Sequence, residues 1–201
     1  MEQKPKVQAI YKAVLELLDE GLDIAGMRVS QVAARAGIGK GTVYDYFSSK
    51  EEMVVDAILY EIRKMTEEIS GIVKAETGFK GKMYGVFRYM EQSMEENHGL
   101  ARMFRLMDHT RGMSPSMQEL LEKRKDEACG IREALTGLSQ EAQKEGLAGE
   151  LPDSVVTLTI SAKLLMFLMY LERKADIGNM DREKWKSYLY QGILADFSVR
   201  I

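Results

Sequence analysis

The stretch "AGIGKGTVYDYF", Ala36 to Phe47, decides how this chain is read. It sets three glycines and a lysine between Gly37 and Thr42, ahead of an aromatic cluster. A loop that cradles nucleotide phosphates needs the order G-x-x-x-x-G-K-[ST], a strand in front to aim it and a helix behind. Here the order is G-K-G-T, the lysine is one position out of place, and the preceding "SQVAARA" is helical in pattern. The other reading is a turn between two short helices, with a glycine free to take positive φ and apolar residues locking the helices at a fixed angle. Gly37 supplies the turn, and Val32, Ala33, Ile38, Val43 and Phe47 supply the lock. The stretch therefore reads as a helix-turn-helix.

Working outward, Val7, Ile10, Tyr11, Val14 and Leu18 lie on one face of a first helix that Gly21 ends. The second helix, in "SQVAARAG", turns Val32, Ala33 and Ala36 inward, with Ser30 as its cap. The third is expected over 40–47, burying Val43 and Phe47. "SSKEEM" offers two overlapping capping boxes, Ser48 with Glu51 and Ser49 with Glu52, so a long fourth helix starts there and ends near Gly71 to Gly78. Glycine-punctuated helical patterns then predict helices over 80–96, 100–109, 117–145, 154–175 and 182–199, with Pro115 and Pro152 at helix starts and Asp181 capping the last. Strand-like alternation is nearly absent. The expected fold is all-α: an N-terminal three-helix domain over 1–50 and a helical bundle over 51–201.

The run "VAARAGIGKGTVYDYFSSKEEM", Val32 to Met53, resembles the DNA-binding segment of the TetR family of bacterial transcriptional regulators. Ala33, Ala36, Gly37, Gly41, Thr42, Tyr44, Phe47, Lys50 and Glu51 stand in register with that family's pattern. Two departures occur. Gly39 replaces the usual Ser or Thr ahead of the recognition helix, and Met27-Arg28 replaces a hydroxyl residue before the second helix, substituting a cation.

The resemblance implies that the third helix enters the major groove, where residues near its N-terminus reach base edges. Lys40 then reads guanine or meets phosphate, and both remain open at this point. Gly41 permits close approach, and Thr42 touches a phosphate or a thymine methyl. Tyr44 and Tyr46 either set register through phosphate contacts or pack against the first helix. Lys50 is a phosphate clamp at the start of the fourth helix. Arg28, Ser30 and Gln31, with Lys4 and Lys6, are secondary backbone contacts; Asp45 either accepts from cytosine N4, supports a neighbouring cation, or is an outward surface residue.

The resemblance further implies a homodimer on a (pseudo)palindromic operator in double-stranded DNA, with Leu164, Phe167, Leu168, Leu171, Trp185, Tyr188, Leu189, Ile193 and Phe197 in a four-helix interface. Intramolecular core is the alternative for some of them. It also implies a cavity for a small, largely apolar effector. The Met and aromatic stripe of Met83, Phe87, Met90, Met103, Phe104 and Met107 is the candidate lining, with core as the alternative. Helix four would carry the change to the DNA-binding domain, and repression is the family's usual mode.

Composition narrows the other classes. With 45% hydrophobic and 29% charged residues the chain is that of a folded globular protein. A net charge of -3 leaves DNA contact to the placement of a few cations, because residues 1–50 carry only +1. Two histidines, one cysteine and no nucleophile or paired-carboxylate motif point away from an enzyme, a metal site or a cofactor. The single Cys129 and the lack of a leader pattern lead to the expectation of a cytoplasmic protein. The apolar run Val155 to Leu171 holds Lys163 near its centre and is expected as a buried helix, not a membrane span. A helical adaptor without DNA binding is the rival function.

Overall fold

The computed structural model describes residues 5–96, 99, 114–124, 130–172 and 180–199. No strand occurs among the described residues, and their helices run in the order α1 (Pro5–Asp19), α2 (Val29–Arg35), α3 (Lys40–Tyr44), α4 (Lys50–Ala75), α5 (Gly78–Glu95), α6 (Pro115–Lys123), α7 (Gly130–Lys144), α8 (Asp153–Glu172) and α9 (Arg182–Phe197). They form two compact units: Met1–Met65 with Gly99–Cys129, and Thr66–His98 with Gly130–Ile201. Residues of α4 belong to both. The helix expected over 100–109 lies outside the described residues.

In the first unit α1 packs on α2 and α2 on α3. Ile10, Val14 and Leu18 of α1 meet Val32 and Ala33 of α2, Val43 and Phe47, and Met53, Val54 and Ala57 of α4 in one buried cluster. Each of the larger side chains, removed from water, contributes about 1.5–3 kcal/mol. The Tyr11 ring lies between Phe47 and Tyr60, with centroids 5.9 and 5.1 Å away. Two glycines close their helices in the same way. The Gly21 N–H donates to Leu18 O and the Leu22 N–H to Leu17 O, while Gly37 and Ile38 donate to Ala34 and Ala33, at 3.0–3.2 Å throughout. Both glycines sit at positive φ, 85° and 68°, where this double bond pattern requires a residue without a Cβ penalty.

Several boundaries differ from expectation. α2 begins at Val29, so Ser30 lies within its first turn and is not the cap; Arg28 is, and its N–H donates to Gln31 Oε1 at 2.9 Å. α3 ends at Tyr44, although the Asp45 and Phe47 amides still donate to Gly41 and Val43 carbonyls at 3.1 Å. Of the two capping boxes, Ser49 with Glu52 is the one used. The Glu52 N–H donates to Ser49 Oγ at 3.0 Å, and the Glu52 carboxylate accepts from the Ser48 N–H at 2.7 Å and the Ser48 hydroxyl at 2.5 Å. With Ser48 outside the helix, its box with Glu51 does not form.

The single helix expected over 117–145 is two. α6 stops where Arg124 leaves helical geometry (φ −113°, ψ 9°), and the described part of α7 runs from Gly130. There a Cβ would stand 2.6 Å from Thr66 Oγ1, so the close approach of α7 to α4 selects glycine. The proline signals hold, with Pro115 the first residue of α6 and Pro152 O accepting from the Val155 and Val156 amides; Asp181 stands at the N-cap position of α9, where its carbonyl accepts the Trp185 N–H and its side chain makes no capping bond.

In the second unit α8 packs on α7, α9 and α5. Its interior is a chain of rings in which Phe87 meets Phe167 at 4.8 Å, Phe167 meets Tyr170 at 6.0 Å, and Tyr170 meets Trp185 at 4.9 Å. Lys186 ties α9 to α5 through Glu91 at 2.9 Å. Burial works against its charge, yet Glu183 and Glu91 together hold its pKa above the ordinary lysine value. α8 corrects the expectation of a buried helix. Val156, Ile160, Phe167 and Tyr170 face inward, while Val155, Leu158, Leu165, Met166 and Met169 are exposed. α8 is long and apolar enough to cross a membrane by length and composition, but Lys163 in its middle is paired with Asp196 at 2.9 Å.

Candidate DNA-binding face

The α2–α3 pair is a rigid frame. Val32, Ala33, Val43 and Phe47 point into the core, and the opposite side of both helices is left to solvent. On that side the structure gathers Arg28, Ser30 and Gln31 from α2 with Lys40, Gly41 and Tyr44 from α3, all exposed, and Thr42 half-buried beside them. Tyr44 is 50% exposed, so its ring is not core. The Lys40 ammonium lies 5.9 Å from the centre of that ring. Tyr46, in contrast, is half-buried against the core cluster, which gives its ring a packing role.

Gly41 is informative because nothing in the protein asks for it. A Cβ there would meet no atom within 4 Å, so the fold leaves room for a side chain. Gly41 is then suited to a surface that another molecule approaches closely. Gln31 is partly committed, since its side-chain oxygen accepts the Arg28 N–H.

Cations of this unit divide by what they touch. Arg35, which sequence reasoning passed over, bonds Glu20 through both terminal nitrogens at 2.8 and 2.9 Å and reaches Glu16 at 3.4 Å, joining α2 to α1. That bond holds the Glu20 carboxyl below the usual carboxylate range. Lys50 is also engaged: its ammonium donates to Ile24 O at 3.2 Å and Ala25 O at 3.1 Å, pinning the α1–α2 connection to the start of α4. Carbonyls leave its charge uncompensated, so the pin and a phosphate contact are compatible. Arg28, Lys6 and Lys40 are exposed; Lys4 lies outside the described residues.

One component of this unit was hidden in the sequence. Met117 of α6 is buried in the same cluster as Ile10 and Phe47, with Leu120 and Leu121 packed against it. Arg124 pairs with Asp56 of α4. The only local signal was the "SPS" helix start at Ser114, where the hydroxyl accepts the Met117 N–H at 3.4 Å.

In the second unit Met83 and Phe87 are fully buried and Met90 nearly so, and Phe87 is packed edge-on to Phe167. Met103, Phe104 and Met107 lie outside the described residues. An open groove of about 460 Å³ runs between the end of α4 and α5, lined by Glu68, Gly71, Ile72, Ala75, Tyr89 and Gln92, none of which the sequence reading named. Tyr89 donates its hydroxyl to Glu68 across it at 2.9 Å.

The expected interface residues divide by burial. Phe167 (0% exposed), Leu189 (1%), Phe197 (3%) and Ile193 (0%) are enclosed within this chain, as rungs of its own aromatic and aliphatic core. Leu164, Leu168, Leu171 and Trp185 are half-buried, and Tyr188 is 60% exposed. The free apolar stripe instead contains Leu158, Leu165, Met166 and Met169, the part that the sequence reading missed. Among the described residues no group of His, Cys, Asp and Glu is arranged to hold a metal ion.

Comparison with known proteins places this geometry. Residues 10–57 match the family profile described as bacterial regulatory proteins, tetR family. Over 173 residues the chain is 25% identical to the fatty acid metabolism regulator protein of Bacillus subtilis (strain 168), spanning 84% of this chain and 86% of that protein. Among solved structures, the fatty acid degradation regulator FadR of Bacillus halodurans has a TM-score of 0.68 at 19% identity, over 96% of this chain and 97% of its own. FadR of Bacillus subtilis, in complex with stearoyl-CoA, has a TM-score of 0.70 at 18% identity, over 94% and 98%. The all-helical architecture, an N-terminal helix-turn-helix with a helical second domain, is shared with both.

Proposed function

We propose, for a chain that belongs to the TetR family of bacterial regulatory proteins and is a DNA-binding transcriptional regulator, that it acts as a homodimeric repressor released from its operator by a long-chain acyl thioester. It is a regulator and not an enzyme. The observation that carries the DNA side is the exposed face on which Arg28, Ser30, Gln31, Lys40, Gly41, Thr42 and Tyr44 stand together over a packed frame. Residues 1–50 would serve as the DNA-binding domain and 51–201 as the effector and dimerisation domain, in the cytoplasm.

The effector class rests on the 25% identity to a fatty acid metabolism regulator and on the likeness to a structure that holds stearoyl-CoA. The Met- and Phe-rich interior around Met83, Phe87 and Met90 is chemically suited to an acyl chain, because thioether side chains repack around irregular apolar ligands. Dimerisation would cover the exposed stripe of α8 and Tyr188 of α9, and two copies would meet a (pseudo)palindromic operator one helical turn apart. A ligand that prefers a conformation with the recognition helices misplaced lowers operator affinity by its differential affinity for that state.

Fluorescence anisotropy of the purified protein on the duplex upstream of its own gene, with and without stearoyl-CoA, tests both halves. Tight binding that stearoyl-CoA reverses is expected. Stearoyl-CoA bound calorimetrically with operator affinity unchanged would overturn the effector assignment and leave the DNA-binding one standing.

A further inference from the structure

We infer that Lys40 is the guanine-reading residue of α3 and that the Tyr44 ring is the platform that positions it. This rests on the DNA-binding reading and concerns which atom of the DNA the lysine meets. Lys40 and Tyr44 are four residues apart in one helix, so their side chains share a face, and the ammonium lies 5.9 Å from the ring centre. Lys40 is flanked by glycines. A Cβ at Gly41 would meet nothing, and one at Gly39 only Thr42 Oγ1 at 3.8 Å, so neither flanking residue puts a side chain beside the lysine, while the Tyr44 ring lies within reach of its ammonium.

Two other cations of the unit, Arg35 and Lys12, show by contrast what this arrangement achieves. Arg35 is bonded to Glu20 and Glu16, and Lys12 is paired with Glu16 at 3.8 Å, so a carboxylate offsets each charge. Among the described residues Lys40 has no carboxylate partner, and its contact is with a ring face. A ring attracts an ammonium through its quadrupole without cancelling its charge. The lysine is thus held in direction with no carboxylate offsetting its charge.

Direction matters for a base and not for a phosphate. A phosphate attracts a point charge from a wide range of angles, whereas the O6 and N7 acceptors of guanine lie on one edge of the major groove. Adenine presents an amino donor where guanine presents O6, so an ammonium fixed over that edge discriminates between the two. Tyr44 then has two separable parts: a ring that orients Lys40 and an exposed hydroxyl available to a phosphate.

Enrichment of bound duplexes from a randomised pool, followed by competition between the enriched duplex and its guanine-to-adenine variant, tests this. The wild type is expected to enrich a half-site with one guanine whose replacement by adenine weakens binding by about 5- to 150-fold. Lys40→Ala should bind both duplexes alike while keeping the rest of the half-site. Tyr44→Phe, which retains the ring, should weaken both duplexes and preserve their ratio. Tyr44→Leu should bring the ratio toward one, with helix content unchanged by circular dichroism. If Lys40→Ala still prefers the same guanine and only lowers the salt slope, Lys40 is a phosphate contact and the inference fails. Full discrimination by Tyr44→Leu removes the platform. A wild-type protein that enriches no sequence overturns the DNA-binding reading itself, whatever Lys40 does.

Discussion

Gly41 separates what the fold needs from what DNA needs. Because a Cβ there meets no protein atom, Gly41→Ala should leave stability unchanged or raise it by up to about 1 kcal/mol through helix propensity. The same change should weaken operator binding, since a methyl group would stand on the face proposed to approach the duplex; urea titration and anisotropy read the two effects independently. Gly37 behaves oppositely. It holds φ 68° in the turn, so Gly37→Ala should destabilise by about 1–2 kcal/mol with no clash involved. Lys50 lies between these cases. Lys50→Met removes its bonds to the Ile24 and Ala25 carbonyls and should cost about 0.5–1.5 kcal/mol in urea titration as well as DNA affinity. Unchanged stability with lost affinity would show that the pin is immaterial and the lysine purely a phosphate clamp.

At the scale of elements, the start of α4 carries a pH dependence. The Ser48 hydroxyl and N–H hold the Glu52 carboxyl below its ordinary value of 4.5, so the unfolded chain binds the proton more readily than the folded one. The cap therefore stabilises the protein above about pH 4.5 and loses that contribution as pH falls through the lower folded value. Urea midpoints at pH 6 and pH 3.5 should fall less steeply for Glu52→Gln than for wild type. α6 supplies a second prediction. Met117→Ala should cost about 2–5 kcal/mol and accelerate amide exchange in α1 to α3, because the side chain is buried in their core. These two elements show what a sequence can and cannot reveal. Caps, Schellman glycines and one-faced helices obey local rules, which is why α1 to α4 were legible from Val7 to Glu52. Which strand of distant chain fills a core is not a local property, and nothing around Met117 announced its partners. The need for glycine at Gly130 was illegible for the same reason, since it is set by the approach of Thr66, far away in sequence.

For the whole molecule, α8 exposes an apolar stripe, and a second copy is the cover we propose for it, since two helix-turn-helix units would then meet one operator. Leu165→Glu with Met169→Glu should yield monomers in analytical ultracentrifugation, keep the helical content, and weaken operator binding far more than non-specific binding. The residues named from sequence divided here because α8 is apolar on all sides: periodicity cannot say whether Phe167 or Leu165 faces the chain's own core, and packing against α5, α7 and α9 decides it. The proposed recognition face carries a pattern in the sequence and a proposed effector lining does not, because spaced surface residues on a short turn form a motif, while a Met-rich lining and a Met-rich core are the same sequence. The most direct test of DNA-binding regulation is sequencing of host genomic fragments retained by the purified protein, wild type against Tyr44→Ala. A few discrete sites, each a pair of inverted half-sites one helical turn apart and absent for Tyr44→Ala, is the predicted result. Uniform retention across the genome, indifferent to Tyr44, would contradict it.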